Sequence, residues 1–183
     1  MVTKGDILYF APGIRFNQID LSGPTLPEQF NCRITGYYIK PAEECCERGQ
    51  AFAAGVLLVS CIDALARFKF KTNDVGKRFK DFVQEELPSF SNKELAKHFY
   101  EDFRNGLIHE SRIKRGGQFS LEGKQTLEEI EGLLRVNPFY LAEEVRVALE
   151  KYVGLLSRDA TERSSFVKAL RRDHSDDFRL AGL

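Results

Sequence analysis

The feature that most constrains this chain is the helical spacing of its apolar residues after position 41. Between Ala42 and Phe70, apolar side chains recur every three or four residues, and Pro41 suits the first turn of a helix. This pattern predicts one long helix over that range. Similar patterns predict further helices at 75–87, from Asn92 to a point before Gly116, and at 125–135, 139–156 and 160–172. We therefore expect an all-α helical bundle over residues 41–183.

Residues 1–40 have a different character and are expected to form an N-terminal extension. They are rich in proline and glycine, residues that interrupt regular elements. Short β-like runs lie at 7–10 and at 33–39, so this part is predicted to be irregular with one or two short strands. A further short strand or extended turn is expected at 118–121, after Gly116 and Gly117.

Composition narrows the kinds of protein to which the chain can belong. Lysine plus arginine equals aspartate plus glutamate, 27 each, so any contact with nucleic acid is expected at a confined site. The longest apolar run, 51–60, is short for a membrane span and the first residues lack a signal-peptide pattern, which predicts a cytoplasmic protein without membrane contact. The cysteines and histidines lack metal-ligand spacing, so we expect reduced thiols, no metal and no cofactor. The cysteines are Cys32, Cys45, Cys46 and Cys61.

The candidate chemistry lies in the third predicted helix, in the string Phe-Arg-Asn-Gly-Leu-Ile-His-Glu at 103–110. Asn105 and His109 are four residues apart and share a polar face with Asp102, beside an apolar stripe. Gly106 costs about 1 kcal/mol relative to alanine in a helix interior, so it indicates a close approach by another backbone or a ligand. The same polar side chains also fit the solvated face of an amphipathic helix.

This string resembles the signature of the HEPN superfamily, a group of small α-helical bundles. The family pattern is an arginine, a polar residue and then a histidine after four to six intervening residues, matched here by Arg104, Asn105 and His109. The resemblance covers roughly residues 42–120. It implies metal-independent endoribonuclease activity in toxin–antitoxin or phage-defence systems, with a homodimer whose two Arg/His motifs share a cleft. Some members carry a modified tyrosine where this chain has Ser111, so that form of control is not expected here.

The resemblance also suggests a role for each residue. His109 is expected to accept a proton from the RNA 2′-OH, and Arg104 to stabilise the charged phosphorane. Asn105 is expected to contact the phosphate or orient His109. Basic residues after the motif are expected to hold the RNA backbone, with Asp63 as a supporting polar group. Those basic residues are Arg112, Lys114 and Arg115.

Two other functions fit the sequence. The first is a non-catalytic HEPN-like module that binds a nucleotide or a protein partner in the same cleft, which the neutral net charge favours. The second is a structural helical dimer. The intact set of Arg104, Asn105 and His109 favours the ribonuclease, for which the expected partners are RNA, a second copy of the chain and an antitoxin protein.

Overall fold

The computed structural model describes residues 2–4 and 7–182. It is mostly helical, with two small sheets. The chain divides into two compact units, which we call the terminal unit (1–37 and 149–183) and the central unit (38–148). The expected extension at 1–40 thus shares a unit with the end of the chain as far as Tyr37, and its last three residues belong to the central unit.

The elements have the following bounds. The strands are β1 (Val2–Lys4), β2 (Ile7–Ala11), β3 (Ile14–Arg15), β4 (Gln118–Phe119), β5 (Leu127–Ile130) and β6 (Leu133–Val136). The helices are α1 (Leu26–Ile34), α2 (Lys40–Glu47), α3 (Ala51–Lys69), α4 (Val75–Glu86), α5 (Lys93–His98), α6 (Asn105–Glu110), α7 (Pro138–Arg158), α8 (Ala160–Asp173) and α9 (Ser175–Leu180). Two wider π-helical segments span Thr35–Ile39 and Phe99–Arg104.

The terminal unit begins with a small antiparallel sheet, ordered β1-β2-β3. The strand predicted at 7–10 is confirmed as β2. The β-like run at 33–39 is helical instead, so that prediction was wrong. Tertiary contacts explain the difference, because Arg33 donates to the carbonyl oxygen of Phe10 and stacks on its ring, while Gly36 lies directly against Pro12. Phe30 and Phe166 pack ring to ring in the core of this unit.

The central unit begins with two helices where one was predicted. The expected helix at 42–70 is interrupted between α2 and α3, because Gly49 has a φ of +73° and ends α2 in the left-handed conformation. The amide of Gly49 donates to the Cys46 carbonyl and that of Gln50 to the Cys45 carbonyl, which closes the end of α2. Helix α3 then packs against both α2 and α4.

The third predicted helix forms as α5, a π-helical segment and α6 in succession. Asn92 caps α5 as predicted, since its side chain accepts from the amides of Glu94 and Leu95. Phe99 and Phe103 are fully buried, also as predicted. The wider π-helical turn changes the phase of the side chains, so Asp102, expected on the exposed polar face, is buried.

The helix predicted at 125–135 is absent. The structure has a hairpin there, formed by β5 and β6, and β4 pairs in parallel with β6. The turn residues Glu131 and Gly132 both have positive φ, 52° and 78°, which matches a tight two-residue hairpin turn. The short strand or extended turn predicted at 118–121 forms as β4, which covers Gln118–Phe119.

The remaining helix predictions are confirmed as α4, α7 and α8. Helix α3 is long and apolar enough to cross a membrane by length and composition alone, although the run at 51–60 was expected to be too short. Its residues Leu58, Ile62 and Leu65 are nevertheless buried within the central unit, as in the core helix of a soluble protein.

Candidate functional site

Arg104 is the last residue of the π-helical segment and is held by contacts on several sides. Its Nη2 donates to Oδ2 of Asp63 at 2.8 Å, and its Nη1 donates to Oδ1 of Asn105 at 3.2 Å. The guanidinium carbon lies 5.9 Å from the centre of the Tyr100 ring. The Arg104 side chain is only 13% exposed. Its guanidinium is therefore oriented by its neighbours rather than free in solvent.

The ion pair between Arg104 and Asp63 leaves polar atoms unused. Within the described residues, Oδ1 of Asp63 and Nε of Arg104 are buried and have no hydrogen-bond partner. Buried polar groups are normally paired, and an unpaired one costs about 1–3 kcal/mol. The ion pair thus leaves one buried acceptor and one buried donor unsatisfied, and both residues line a neighbouring space.

That space is a pocket of about 250 Å³ between α3, α4 and residues 93–110. We call residues 93–110, which comprise α5, the second π-helical segment and α6, the third helical segment. It contains three guanidinium groups and one carboxylate, so its lining is positive. The Nε of Arg78 is also buried without a partner among the described residues. The lining residues are Val59, Ser60, Asp63, Ala64, Arg67, Arg78, Arg104 and Ile108.

His109 lies on the exposed surface near the end of α6 and does not line this pocket. In the described part of the chain its side chain makes no hydrogen bond or ion pair. The helix ends at Ser111, whose φ of 55° is left-handed. The chain therefore brings Arg104, Asn105 and Asp63 into contact, while His109 stays outside their pocket on the same helical segment.

Two of the predicted RNA-binding cations share one carboxylate partner. The Nη2 of Arg112 lies 2.8 Å from Glu110, and the Nζ of Lys114 lies 2.5 Å from it. Hydrogen bonds from Lys114 and Arg112 hold the pKa of Glu110 below its usual value. Both cations remain at the surface near His109, partly neutralised by this acid.

The third predicted cation, Arg115, binds back onto its own helical segment. Its Nε donates to Oδ1 of buried Asp102 at 2.7 Å, and its Nη2 donates to Glu101 at 2.8 Å. The backbone adds to this link, since the Lys114 amide donates to the Asp102 carbonyl at 3.0 Å. These contacts fix the loop that follows α6.

Gly106 is explained by that same loop. A Cβ at this position would lie 2.3 Å from the carbonyl oxygen of Arg112 and 3.3 Å from the amide nitrogen of Lys114. The close approach predicted from the sequence is therefore made by the chain's own backbone. The space over the Gly106 Cα is thus filled by the chain itself and not by a ligand.

Sequence reasoning missed two arginines of the pocket. Arg67 follows Asp63 by four residues on α3, a spacing that predicts a shared face and could have indicated it. Arg78 gave no such signal, because only the packing of α4 against α3 brings it to the pocket.

Among the described residues, no cluster of histidine, cysteine, aspartate or glutamate is arranged to hold a metal ion.

The four cysteines are free thiols, of which Cys46 and Cys61 are buried. Burial raises the pKa of Cys46 to about 11 and also raises the pKa of Cys61. Such thiols are poor nucleophiles at neutral pH, so these two are structural.

Comparisons with protein-family models, curated proteins and solved structures gave no match for this chain.

Proposed function

We propose that this chain is a metal-independent endoribonuclease of HEPN type. The observation that carries the proposal is an arginine fixed by Asp63 in a positive pocket, with an exposed histidine five residues further along the same helical segment. Arginine matches phosphate geometry and stays charged, and histidine exchanges protons near neutral pH. These are the two groups that RNA cleavage through the 2′-OH requires.

In the proposed reaction, His109 accepts the proton of an RNA 2′-OH. The 2′-oxygen then attacks the adjacent phosphorus, and the bond to the 5′-oxygen of the next nucleotide breaks. The products are a 2′,3′-cyclic phosphate and a 5′-OH end, because the departing 5′-oxygen takes a proton from water and the protonated His109 returns its proton to water. Arg104 stabilises the extra negative charge on the phosphorane, which is the electrostatic role that a metal ion plays in other nucleases. Asn105, bonded to Arg104, helps to hold the guanidinium in place.

We further propose that two copies of the chain meet across the third helical segment. His109 lies outside the pocket of Arg104, so a cleft shared by two copies supplies a more complete site than one chain alone. Ile108, beside His109, is 56% exposed and offers apolar surface for that contact. We also propose a cytoplasmic role in toxin–antitoxin or phage-defence biology, with an antitoxin protein as partner.

The alternative is a non-catalytic module that binds a nucleotide or a protein in the same pocket. One observation favours it: Asp63 partly neutralises Arg104, and His109 does not line the pocket. Binding without cleavage would then be the activity of the site.

Variants of the purified chain on a labelled RNA separate the two proposals. His109→Ala is expected to lower the cleavage rate by about 100- to 10,000-fold, the usual contribution of general acid–base catalysis, with the fold intact because His109 is exposed. Arg104→Lys is expected to lose most activity, since an ammonium cannot form the guanidinium fork on phosphate. His98→Ala, on the same helical segment, is the matched control and should stay active.

Cleavage that survives both Arg104→Ala and His109→Ala would exclude this site. RNA binding by the wild type without any cleavage would favour the alternative. Light scattering should give a dimer at micromolar concentration, and a monomer would refute the shared cleft.

A further inference from the structure

The pocket beside Arg104 is lined by more guanidinium groups than carboxylates. Arg67, Arg78 and Arg104 line it against the single carboxylate of Asp63. Asp63 is already bonded to Arg104 through Oδ2. The Arg78 side chain forms no hydrogen bond or ion pair with any described residue, and its Nε is buried. A partly buried cation without a counter-charge is costly, so the arrangement calls for an anion.

The size of the pocket limits which anion it can take. Its volume is about 250 Å³, somewhat below the range of roughly 300–1,000 Å³ typical of sites that enclose a drug-sized ligand. A phosphate group fits, whereas a dinucleotide has to extend outside. Guanidinium groups bind phosphate through paired N–H donors, and both Arg78 and Arg104 line the pocket. The Nε of each is buried without a partner among the described residues.

We propose that this pocket is a phosphate-binding subsite in which Arg78 and Arg104 are the main ligands. The Asp63 carboxylate is bonded to Arg104 through Oδ2 and would repel an anion placed against it. The phosphate belongs either to the RNA backbone or to the end of a nucleotide. The role in RNA binding rests on the proposed function, but affinity for phosphate does not.

Phosphate binding is measured on the full chain without any cleavage step. Inorganic phosphate is titrated at constant ionic strength against chloride, and binding is followed by calorimetry and by the rise in melting temperature. Arg78→Met is expected to weaken phosphate binding about 10- to 100-fold, the value of a lost charge-assisted hydrogen bond. Lys77→Met is the matched control, because it removes the same charge one residue earlier on α4, from a side chain paired with Asp81.

Arg78→Lys is a second variant that still tests the subsite if Arg78→Met does not fold. It keeps the charge and is expected to bind phosphate more weakly than wild type but more tightly than Arg78→Met. Equal affinities for wild type, Arg78→Met and Lys77→Met would overturn the subsite, as would a wild type that shows no saturable phosphate binding. His109→Ala should bind phosphate normally, so loss of cleavage and loss of the subsite are distinguishable.

The source of the phosphate is identified by competition. Short RNAs with and without a 5′-phosphate, and a nucleoside 5′-monophosphate, are each set against inorganic phosphate. Equal competition by the two RNAs identifies the backbone phosphate, whereas competition only by the 5′-phosphorylated molecules identifies a terminal phosphate. Failure of all three to compete would overturn the proposal that the pocket takes the phosphate of a nucleotide or RNA.

Discussion

Replacing Gly106 with alanine is expected to destabilise the segment that carries the site. Alanine is preferred to glycine in a helix by about 1 kcal/mol. Against this gain, the new Cβ would lie 2.3 Å from the Arg112 carbonyl oxygen, a backbone atom that cannot swing away. Relieving such overlap typically costs about 1–3 kcal/mol. It would also strain the hydrogen bond from the Arg112 amide to the Gly106 carbonyl. The net expectation is a loss of about 1–2 kcal/mol.

Gly154 on α7 is the matched control. Apart from its chain neighbours and the backbone of its own helix, no atom of the described residues lies within 4 Å of the position its Cβ would occupy, so Gly154→Ala should gain up to about 1 kcal/mol. Urea unfolding gives the free energies. Because the two glycines belong to different units, hydrogen exchange is read separately for residues 93–116 and 149–158. Opposite signs for the two variants are predicted. A stabilising Gly106→Ala would refute the argument that the loop closes on the helix.

Three further outcomes are expected. Asp63→Asn should lower RNA cleavage about tenfold, because an amide oxygen holds the Arg104 guanidinium less firmly than a carboxylate; steady-state kinetics test this. Cys46 and Cys61 should react with a thiol reagent at pH 8 at least about a hundredfold more slowly than free cysteine, and rapidly once urea unfolds the chain. Burial lowers the pKa of His174 in the folded chain. Its contribution to stability is therefore complete above about pH 6.5 and is lost as the pH falls through the pKa of the folded state. His174→Gln should remove that part of the pH dependence of the free energy of unfolding.

Helices with a clear apolar period and a cap could be predicted from the sequence, and the hairpin of β5 and β6 could not. Residues 127–134 are rich in leucine and glutamate, both good helix formers. The decisive features are the positive φ at Glu131 and Gly132 and the pairing of β6 with β4, which is distant in sequence. A prediction from local propensity does not take such a contact into account.

For the candidate site too, the sequence predicted local features but not the contacts between segments distant in sequence. The motif drew attention to Arg104, Asn105 and His109, because their types and spacing suit phosphate chemistry. The pocket depends on α3 and α4 packing side by side, which brings Arg78 to Arg104. A prediction that assumes a regular period of 3.6 residues also cannot include the phase change in the π-helical segment. That change buries Asp102, whose carboxylate then binds Arg115.

The central claim is that the chain cleaves RNA through its own 2′-OH without a metal. The most direct measurement uses a labelled RNA in EDTA, alongside the same RNA with a single 2′-deoxy nucleotide at the cleavage position. The account predicts cleavage of the all-ribose strand, with a 2′,3′-cyclic phosphate and a 5′-OH at the new ends, and no cleavage at the deoxy position. Cleavage that stops in EDTA and returns with magnesium, or that proceeds at the deoxy position, would contradict it.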